Sequence, residues 1–209
     1  MARAQKLDLY RLHRDQYVAR RKPALVTIPP VPYLAIDGEG EPSGEAFQAR
    51  IGGMYAMAFT IKMTRKFAGQ QDYKVCHLEG LYWADDEEAS FAELPREQWR
   101  WKLILRVPDF IEEGDLDKAR AALHKKNKPP DFEEVRLETI DEGQCVQMLH
   151  VGPYADEPQT LEQMQQLAAA NGLAFHGRHH EIYLSDPRRV PPERLRTILR
   201  MPVQPGEKA

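Results

Sequence analysis

The chain has little cysteine and no long hydrophobic run. Cys76 and Cys145 are the two cysteines in 209 residues, and they form neither a CxxC pair nor a metal-ligand spacing. We therefore expect buried, reduced thiols. The apolar runs are far shorter than the roughly 20 residues of a membrane-spanning helix. Residues 1–22 are rich in charge and lack the apolar core of a signal peptide. These absences predict a soluble, cytoplasmic protein with no membrane partner.

An excess of positive charge is missing as well. The 29 Lys and Arg residues face 32 Asp and Glu residues, which leaves a formal net charge of −3. Since no basic field attracts nucleic acid, we expect no direct nucleic-acid partner. The chain also lacks the GxGxxG, Walker, GxSxG and HExxH motifs, which removes the nucleotide-binding, serine-hydrolase and zinc-protease classes.

A predicted strand near the end of the chain carries the strongest functional signal. Residues 179–187, HHEIYLSDP, favour a strand that stops at the turn signal Asp-Pro. Because side chains alternate along a strand, Glu181 shares one face with His179 and Tyr183, while Ile182 points to the core. An acid beside two aromatic rings indicates a binding or catalytic site. The alternative is a half-solvated edge strand whose polar face touches only water.

Short strands and a few helices account for the rest of the pattern. Apolar residues at intervals of three and four predict a long helix over about 44–66. Its Gly52-Gly53 pair weakens the helix or lets another backbone approach closely. Shorter helices are expected over 116–126 and 160–170. Strands or strand-like segments are expected over 24–28, 33–37, 73–76, 78–83, 99–107, 135–140 and 144–151, with an acidic loop at 85–88 and a last element over 193–202.

A repeat indicates how these elements are arranged. Residues 103–108, LILRVP, are echoed by residues 197–202, TILRMP, and a Gly…Glu-Pro mark precedes a helix at both 38–42 and 152–158. Each half reads strand, helix, strand, strand. We therefore predict an α+β fold of pseudo-twofold duplicated strand-helix-strand-strand units, with a central ligand cleft where the two halves meet.

The same repeat sets the expected domain limits. Residues 23–204 would form a single domain with halves of about 23–130 and 131–204. Residues 1–22 would be a peripheral segment laid against that domain.

The equivalent strands 78–83 and 179–185 would then flank the cleft. They would contribute the residues Glu79, Tyr82 and Trp83 from one half and His179, Glu181 and Tyr183 from the other, with Tyr154 at the mouth and Tyr55 and Trp101 completing the ligand-binding set. As an anion, a buried acid pairs with a ligand cation, helped by cation–π contacts of about 0.5–2 kcal/mol each. As a desolvated carboxyl, its pKa rises toward neutrality, which suits acid–base chemistry. For each aromatic residue taken singly, plain core packing is the alternative.

Three neighbouring histidines raise the question of a metal. No carboxylate or cysteine completes a familiar ligand spacing around His176, His179 and His180, so we expect neither a metal nor a cofactor. A haem group would need an axial ligand, for which His179 is the only candidate near the cleft, and we do not expect one.

Four segments carry a family resemblance. They are HEIYLSDPRR at 180–189, LRTILR at 195–200, LEGLYW at 78–83 and the loop VGPY at 151–154. On these segments, and over about residues 23–203, the chain resembles the GyrI-like small-molecule-binding family. EIYLSDP is fairly specific and the other segments support it. The resemblance implies a pseudo-twofold duplicated α+β fold with a central cleft and a glutamate at its centre, which maps onto Glu181.

The resemblance also implies functions. Members of the family occur as effector domains of multidrug-responsive regulators, as gyrase-inhibiting proteins and as stand-alone proteins, some linked to hydrolysis of cyclopropane-bearing DNA-alkylating compounds. Residues 1–22 are too short for a helix-turn-helix, so we expect the stand-alone type. The leading hypothesis is a protein that binds flat hydrophobic or cationic small molecules and hydrolyses an electrophilic one. Glu181 would activate water, and Tyr154 or Tyr183 would stabilise the oxygen that gains charge.

Two alternatives stay open. In the first, the protein sequesters or senses cationic, lipophilic drugs without catalysis, and Glu181 supplies only the counter-charge. In the second, it interacts with gyrase, although the sequence shows no surface for that partner.

Overall fold

Among the residues that the structure describes, nine strands form an antiparallel sheet that is the frame of the fold. The computed structural model describes residues 6–17, 20–84 and 94–206, and the predicted acidic loop at 85–88 lies outside them. The strands are β1 (Ala24–Ile28), β2 (Val31–Glu39), β3 (Glu79–Trp83), β4 (Arg100–Arg106), β5 (Arg136–Ile140), β6 (Gly143–Val151), β7 (Leu173–Phe175), β8 (His179–Tyr183) and β9 (Arg196–Pro205).

In the described residues one long helix, two shorter helices and two single helical turns accompany the sheet. They are α1 (Leu9–Leu12), α2 (Arg14–Tyr17), α3 (Glu45–Phe67), α4 (Glu113–Lys125) and α5 (Glu157–Ala170). The predicted α+β class is therefore confirmed, and the helix expected over about 44–66 is α3. The strand expected over 73–76 is wrong, because Tyr73 makes only an isolated bridge with Leu7. The sequence pattern gave no indication of the short strand β7. Within the described residues, no helix combines the length and apolar character that crossing a membrane requires.

The strand order repeats on the two sides of the sheet centre. The order is β1-β6-β9-β8-β3-β4-β2-β5, and β7 pairs with β9. In one half β8, β9 and β6 run outward from the centre, and in the other half β3, β4 and β2 do the same. The outermost strands are exchanged, because β1 borders β6 and β5 borders β2. This order is what a duplication would produce, and the duplication itself stays a prediction.

Helices α3 and α4 cover the first half of one sheet face. Alternation along β4 sends Trp101, Leu103 and Leu105 toward these helices and Ile104 to the opposite face. At Gly53 the helix α3 meets the backbone of residues 131–132, and a Cβ there would lie 2.5 Å from Asp131. The close approach predicted for the Gly52-Gly53 pair is therefore confirmed at Gly53. Helix α5 covers the second half of the same face, packed on β6 and β9.

The other face of the central strands is covered by residues 6–17. Tyr17 packs on Ile182 of β8 and Ile198 of β9. Leu9, in the same segment, is also buried. The sheet is therefore covered on both sides at its centre, and each face of β8 is buried against a different set of partners.

Candidate functional site

A cavity of about 750 Å³ lies on the helix-bearing face, over the junction of β3 and β8. Its walls come from α3 and from the start of α5, which stand on either side of the two central strands. Its lining includes the side chains Phe47, Ile51, Tyr55, Tyr82, Trp99, Tyr154, Glu157, Leu161, His179, Glu181 and Tyr183. The cavity therefore combines apolar and aromatic walls with the buried carboxyl groups of Glu157 and Glu181.

Strand β8 places Glu181 at the floor of this cavity. The side chain is only 7% exposed. Its backbone lies in register with Gly80 of β3. Because Gly80 has no side chain, the Tyr82 ring leans over it, and a Cβ there would come within 2.9 Å of that ring. The glycine thus brings Tyr82 beside Glu181.

The hydroxyl groups of two tyrosines, Tyr183 and Tyr82, lie next to Glu181 and contact each other. The Tyr183 hydroxyl lies beside the Glu181 carboxylate. The Tyr82 and Tyr183 oxygens are 2.5 Å apart. Burial and the neighbouring Glu181 raise the pKa of Tyr183 well above its usual value, so this hydroxyl keeps its proton. Tyr183 can therefore donate a hydrogen bond at the cavity floor.

Glu157 adds a second carboxyl group to the site. It is the first residue of α5, it is buried, and one of its carboxyl oxygens lies within 4.8 Å of a carboxyl oxygen of Glu181. Burial and the Glu181 carboxylate raise the pKa of Glu157 well above its usual value. Arg96 on the rim opposes this shift from a distance. Glu157 therefore keeps its proton to a higher pH than an ordinary glutamate.

His150 fixes the segment that carries Glu157. Its Nδ1 is 2.9 Å from the Thr160 hydroxyl and its Nε2 is 3.0 Å from the Pro153 carbonyl oxygen. Since a carbonyl only accepts, Nε2 carries the proton and Nδ1 accepts from Thr160. The turn before α5 is held in place, and with it Tyr154, whose ring stands perpendicular to that of Tyr183 at 6.1 Å between centroids.

The imidazole of His179 lies close to the two carboxyl groups. His179 Nε2 lies 3.2 Å from Glu181 Oε1. Ligand atoms of Glu157, His179 and Glu181 all lie within 4.8 Å of one another, and this donor set suits a divalent transition metal. This cluster was not predicted, because Glu157 comes from the start of α5 and is distant in sequence from His179 and Glu181.

Six of the nine residues predicted for the site line the cavity. They are Tyr55, Tyr82, Tyr154, His179, Glu181 and Tyr183. Tyr55 stands on α3, and its hydroxyl oxygen accepts a hydrogen bond from the Leu78 backbone.

Glu79 does not lie in the cavity, so its predicted position is wrong. It alternates with Tyr82 along β3 and therefore points to the opposite sheet face, where it is fully buried. There its carboxylate is 3.0 Å from His180 Nε2 and 3.4 Å from the Tyr17 hydroxyl.

Neither Trp83 nor Trp101 lines the cavity, which corrects two further positions. Trp83 shares the face of Glu79, where the Arg178 guanidinium stacks on its ring at 3.8 Å. Trp101 lies behind the cavity wall. Its indole N–H donates to the Gly40 carbonyl, and its ring contacts the edge of Phe47, which does line the cavity.

Glu157 and Trp99 are among the cavity residues that the predicted set lacked. Glu157 had one sequence signal, the Glu-Pro mark at the start of its helix. Trp99 belongs to an aromatic cluster that is close in sequence and includes Tyr82, Trp83 and Trp101, and its ring packs at 5.9 Å from that of Tyr82 and 5.4 Å from the Arg96 guanidinium. Both enter the site through tertiary packing.

A buried acid in an aromatic cavity, between the helices of an antiparallel α+β fold, defines a small-molecule-binding protein. The family model that matches the chain is the GyrI-like small molecule binding domain, over residues 21–204. The chain therefore belongs to the GyrI-like family. No curated protein matches it.

Solved structures place the chain within a group of similar folds. It is 39% identical to an uncharacterized conserved protein from Listeria innocua, with a TM-score of 0.89 over 95% of this chain and 100% of that one. It is 38% identical to a hydrolase from Listeria innocua, with a TM-score of 0.85 and the same coverage. The EcmrR C-terminal domain is 13% identical with a TM-score of 0.56, over 88% of this chain and 98% of that domain, and shares only the fold.

Proposed function

We propose that this protein is a cytoplasmic hydrolase of flat, hydrophobic electrophiles, with a cyclopropane-bearing alkylator as the substrate class. The observation that carries the proposal is the Glu181 carboxylate, buried at the floor of an aromatic cavity beside the donating hydroxyl of Tyr183. The similarity to a hydrolase from Listeria innocua supports it. In this proposal residues 23–204 form the binding domain and residues 1–22 a peripheral segment.

The cavity fits a planar ligand. Its volume of about 750 Å³ lies within the range of drug-sized sites. Tyr82 and Trp99 offer rings to a flat ligand and exclude water from it, which is the role predicted for Trp83 and Trp101. Tyr55 and Tyr154 extend these aromatic walls.

Hydrolysis would begin with water beside Glu181. The carboxylate accepts a proton as the water oxygen attacks the strained ring carbon. The ring carbon–carbon bond breaks, and its electron pair moves through the conjugated system to the substrate oxygen. Tyr183 or Tyr154 donates a hydrogen bond to that oxygen. Burial and Glu181 raise the pKa of Tyr154 to about 12, so its hydroxyl is also protonated.

The test is product analysis with purified protein. The protein is incubated with a cyclopropane-bearing alkylator, and the products are followed by mass spectrometry. We expect catalytic gain of one water, lost in Glu181→Gln while binding is retained. Glu162→Gln, an exposed residue of α5, is the matched control and should turn over like the wild type. Unchanged turnover in Glu181→Gln would refute the role of Glu181.

A second function is favoured by the same carboxylate. An anion among aromatic rings suits a lipophilic cation, which a sequestering protein would bind and release intact. Ligand recovered unchanged after demonstrable binding would select this function. Loss of cation affinity in Glu181→Gln would then identify the counter-charge.

A further inference from the structure

Strand β8 and helix α5 bring three side chains that can ligate a metal to the floor of the cavity. His179 and Glu181 stand two positions apart on β8, so their side chains share the face on which the cavity lies. Glu157 reaches them from the start of α5. One imidazole nitrogen and one oxygen of each carboxyl group lie within 4.8 Å of one another. After small side-chain movements, one ion can therefore contact all three.

The spacing of His179 and Glu181 already agrees with ligation. His179 Nε2 lies 3.2 Å from Glu181 Oε1. Two ligands that each lie roughly 2.0–2.1 Å from a tetrahedral Zn²⁺ ion are roughly 3.3–3.4 Å apart. The same distance suits a hydrogen bond from the ring N–H, so a metal that binds here releases that proton. Little rearrangement of β8 is therefore needed.

A buried oxygen of Glu157 is an independent sign of a ligand. Glu157 is 8% exposed, and its Oε1 has no hydrogen-bond partner in the part of the chain that the structure describes. A buried carboxyl oxygen without a partner has lost its bonds to water and gained nothing in return. Among the described residues, the one ion pair that these two carboxyl groups form is that of Glu181 with His179. A bound cation would supply the missing partner.

We propose that Glu157, His179 and Glu181 bind one divalent transition-metal ion, with Zn²⁺ as the best match. Imidazole nitrogen and carboxylate oxygen are both ordinary zinc ligands, and zinc accepts them without a geometric preference of its own. Two carboxylates also balance the two charges of the ion. The sequence-based expectation of no metal considered only ligand spacings around the histidines, and Glu157 is far from them in the chain.

The residues around the three ligands hold them in place. His150 lies 2.9 Å from the Thr160 hydroxyl and 3.0 Å from the Pro153 carbonyl oxygen, and these contacts fix the start of α5 that carries Glu157. The Tyr183 hydroxyl lies beside the Glu181 carboxylate. Metal sites depend on such outer partners to orient their ligands. The site is therefore supported on both of its elements.

A tetrahedral ion held by three protein ligands keeps one position open, as catalytic zinc sites do. All three ligands line the cavity of about 750 Å³, so a water molecule or a ligand oxygen can take that position. The ion would lower the pKa of a bound water toward about 7, and the proton that the water loses passes to solvent. The use of this water rests on the proposed hydrolase function, whereas the metal site itself does not.

Metal binding is measured without any substrate. The full-length protein is treated with a chelator and dialysed, and Zn²⁺ is titrated in competition with a chromogenic chelator. We expect one equivalent per chain, with an affinity that falls more than about 100-fold in Glu157→Gln, His179→Gln and Glu181→Gln, beyond the cost of losing an outer partner. Glu162→Gln and His176→Gln change exposed residues outside the site and should bind Zn²⁺ like the wild type.

Cobalt tests the coordination without any variant, so it decides the matter even where a variant does not fold. Wild-type protein with one equivalent of Co²⁺ should show the visible absorption of a four-coordinate ion, and Zn²⁺ should abolish it. Failure of the wild type to bind Zn²⁺ would overturn the proposal and leave a proton or a lipophilic cation between the acids. Equal affinity in all three ligand variants would also overturn it, because the ion would then lie elsewhere on the chain.

Turnover assays separate the metal site from the proposed hydrolase. If both are correct, hydrolysis of a cyclopropane-bearing alkylator should be lost after chelation and restored by Zn²⁺. Hydrolysis that is the same with and without Zn²⁺ would refute the metal-bound water. A wild type that binds Zn²⁺ through these ligands and hydrolyses nothing would confirm the metal site and refute the proposed function.

Discussion

His179 and His180 are neighbours in β8, yet they face opposite sides of the sheet and opposite chemistry. His179 faces the cavity. His180 lies between two carboxylates, with Nδ1 2.9 Å from Glu142 and Nε2 3.0 Å from Glu79. Both faces are buried and both carry charged groups, so neither burial nor charge alone marks the functional side.

The two faces differ in whether each buried charged group has a partner of opposite charge. We call the His180 face, where His180 and Arg200 have such partners, the matched face. On the His180 face, Arg200 bonds to Glu142 at 2.7 Å, to Gln147 at 2.8 Å and to the Gln16 carbonyl at 2.8 Å. His180 and Arg200 there each have an anion beside them. On the cavity face two acids lie close together, and Glu157 Oε1 has no hydrogen-bond partner among the described residues. The matched face holds the fold together, and the unmatched face is available for chemistry.

The largest effect should come from breaking the matched face. Glu142→Gln removes the anion that His180 and Arg200 share and leaves buried cations poorly compensated. We expect the free energy of unfolding to fall by about 3–5 kcal/mol, measured by urea denaturation.

Glu181→Gln is the matched change on the cavity face. It keeps the shape of the side chain and removes the negative charge that opposes ionisation of Glu157, so stability should change by no more than about 1 kcal/mol. Asp117→Asn, in an exposed ion pair with Arg120, should also have little effect. Equal losses in Glu142→Gln and Glu181→Gln would contradict the distinction between the two faces.

The pH dependence of stability should follow the matched face. Although burial opposes its charge, Glu142 raises the pKa of His180 from 6.5 to about 9. Its contribution is complete below pH 6.5 and is lost as the pH rises through about 9. The rise corresponds to on the order of 3 kcal/mol.

The same network sets a limit at low pH. Burial opposes the charge of Glu142, but His180 and Arg200 lower its pKa from 4.5 to about 2. Its contribution is complete above pH 4.5 and is lost as the pH falls through about 2. The two groups together support the fold best between pH 4.5 and 6.5. Urea unfolding at pH 6 and pH 10 should show a smaller loss in His180→Gln than in the wild type. An identical loss would show that His180 carries no raised pKa.

A smaller loss of stability is expected from a substitution at Gly80, the β3 glycine over which the Tyr82 ring lies. Gly80→Ala would place a Cβ 2.9 Å from the Tyr82 ring and push that ring away from Tyr183. We expect a loss of about 1–3 kcal/mol in unfolding free energy, measured by urea denaturation, together with weaker ligand binding. Gly114→Ala in α4 meets no atom within 4 Å and is the control. A stable Gly80→Ala protein with normal affinity would show that Tyr82 does not need this gap.

The alternation of residues predicted which side chains of β8 face the site, but it did not predict which side chains of the neighbouring strand β3 do. Alternation alone places His179, Glu181 and Tyr183 on one face, because that depends only on strand geometry. It also separates Glu79 and Trp83 from Tyr82, a consequence missed when all three were assigned to the cleft. Which face of β3 joins Glu181 depends on the pairing with β8, which no local signal contains.

The helix-borne part of the site was harder to foresee. The pattern predicts a helix at 160–170, and the structure starts it at Glu157. That glutamate reaches Glu181 only because α5 crosses the sheet at one position, held by His150 and Thr160. Trp101 illustrates the converse: its face was predicted correctly, but Phe47 stands between it and the cavity. The depth of a side chain behind a wall is set by packing.

The smallest expected effect compares two tryptophans on opposite faces. Trp99 lines the cavity against Tyr82, and Trp83 stacks on Arg178 away from it. Trp99→Leu removes one aromatic contact of about 0.5–1.5 kcal/mol, which should weaken the binding of a planar ligand by roughly tenfold. Trp83→Leu should leave that affinity unchanged, although it removes a ring of similar size. Fluorescence titration of both variants with the same ligand measures the difference. A greater loss of affinity in Trp83→Leu would place the ligand on the other face of the sheet, where the charges are already matched, and would overturn the assignment of the cavity as the binding site.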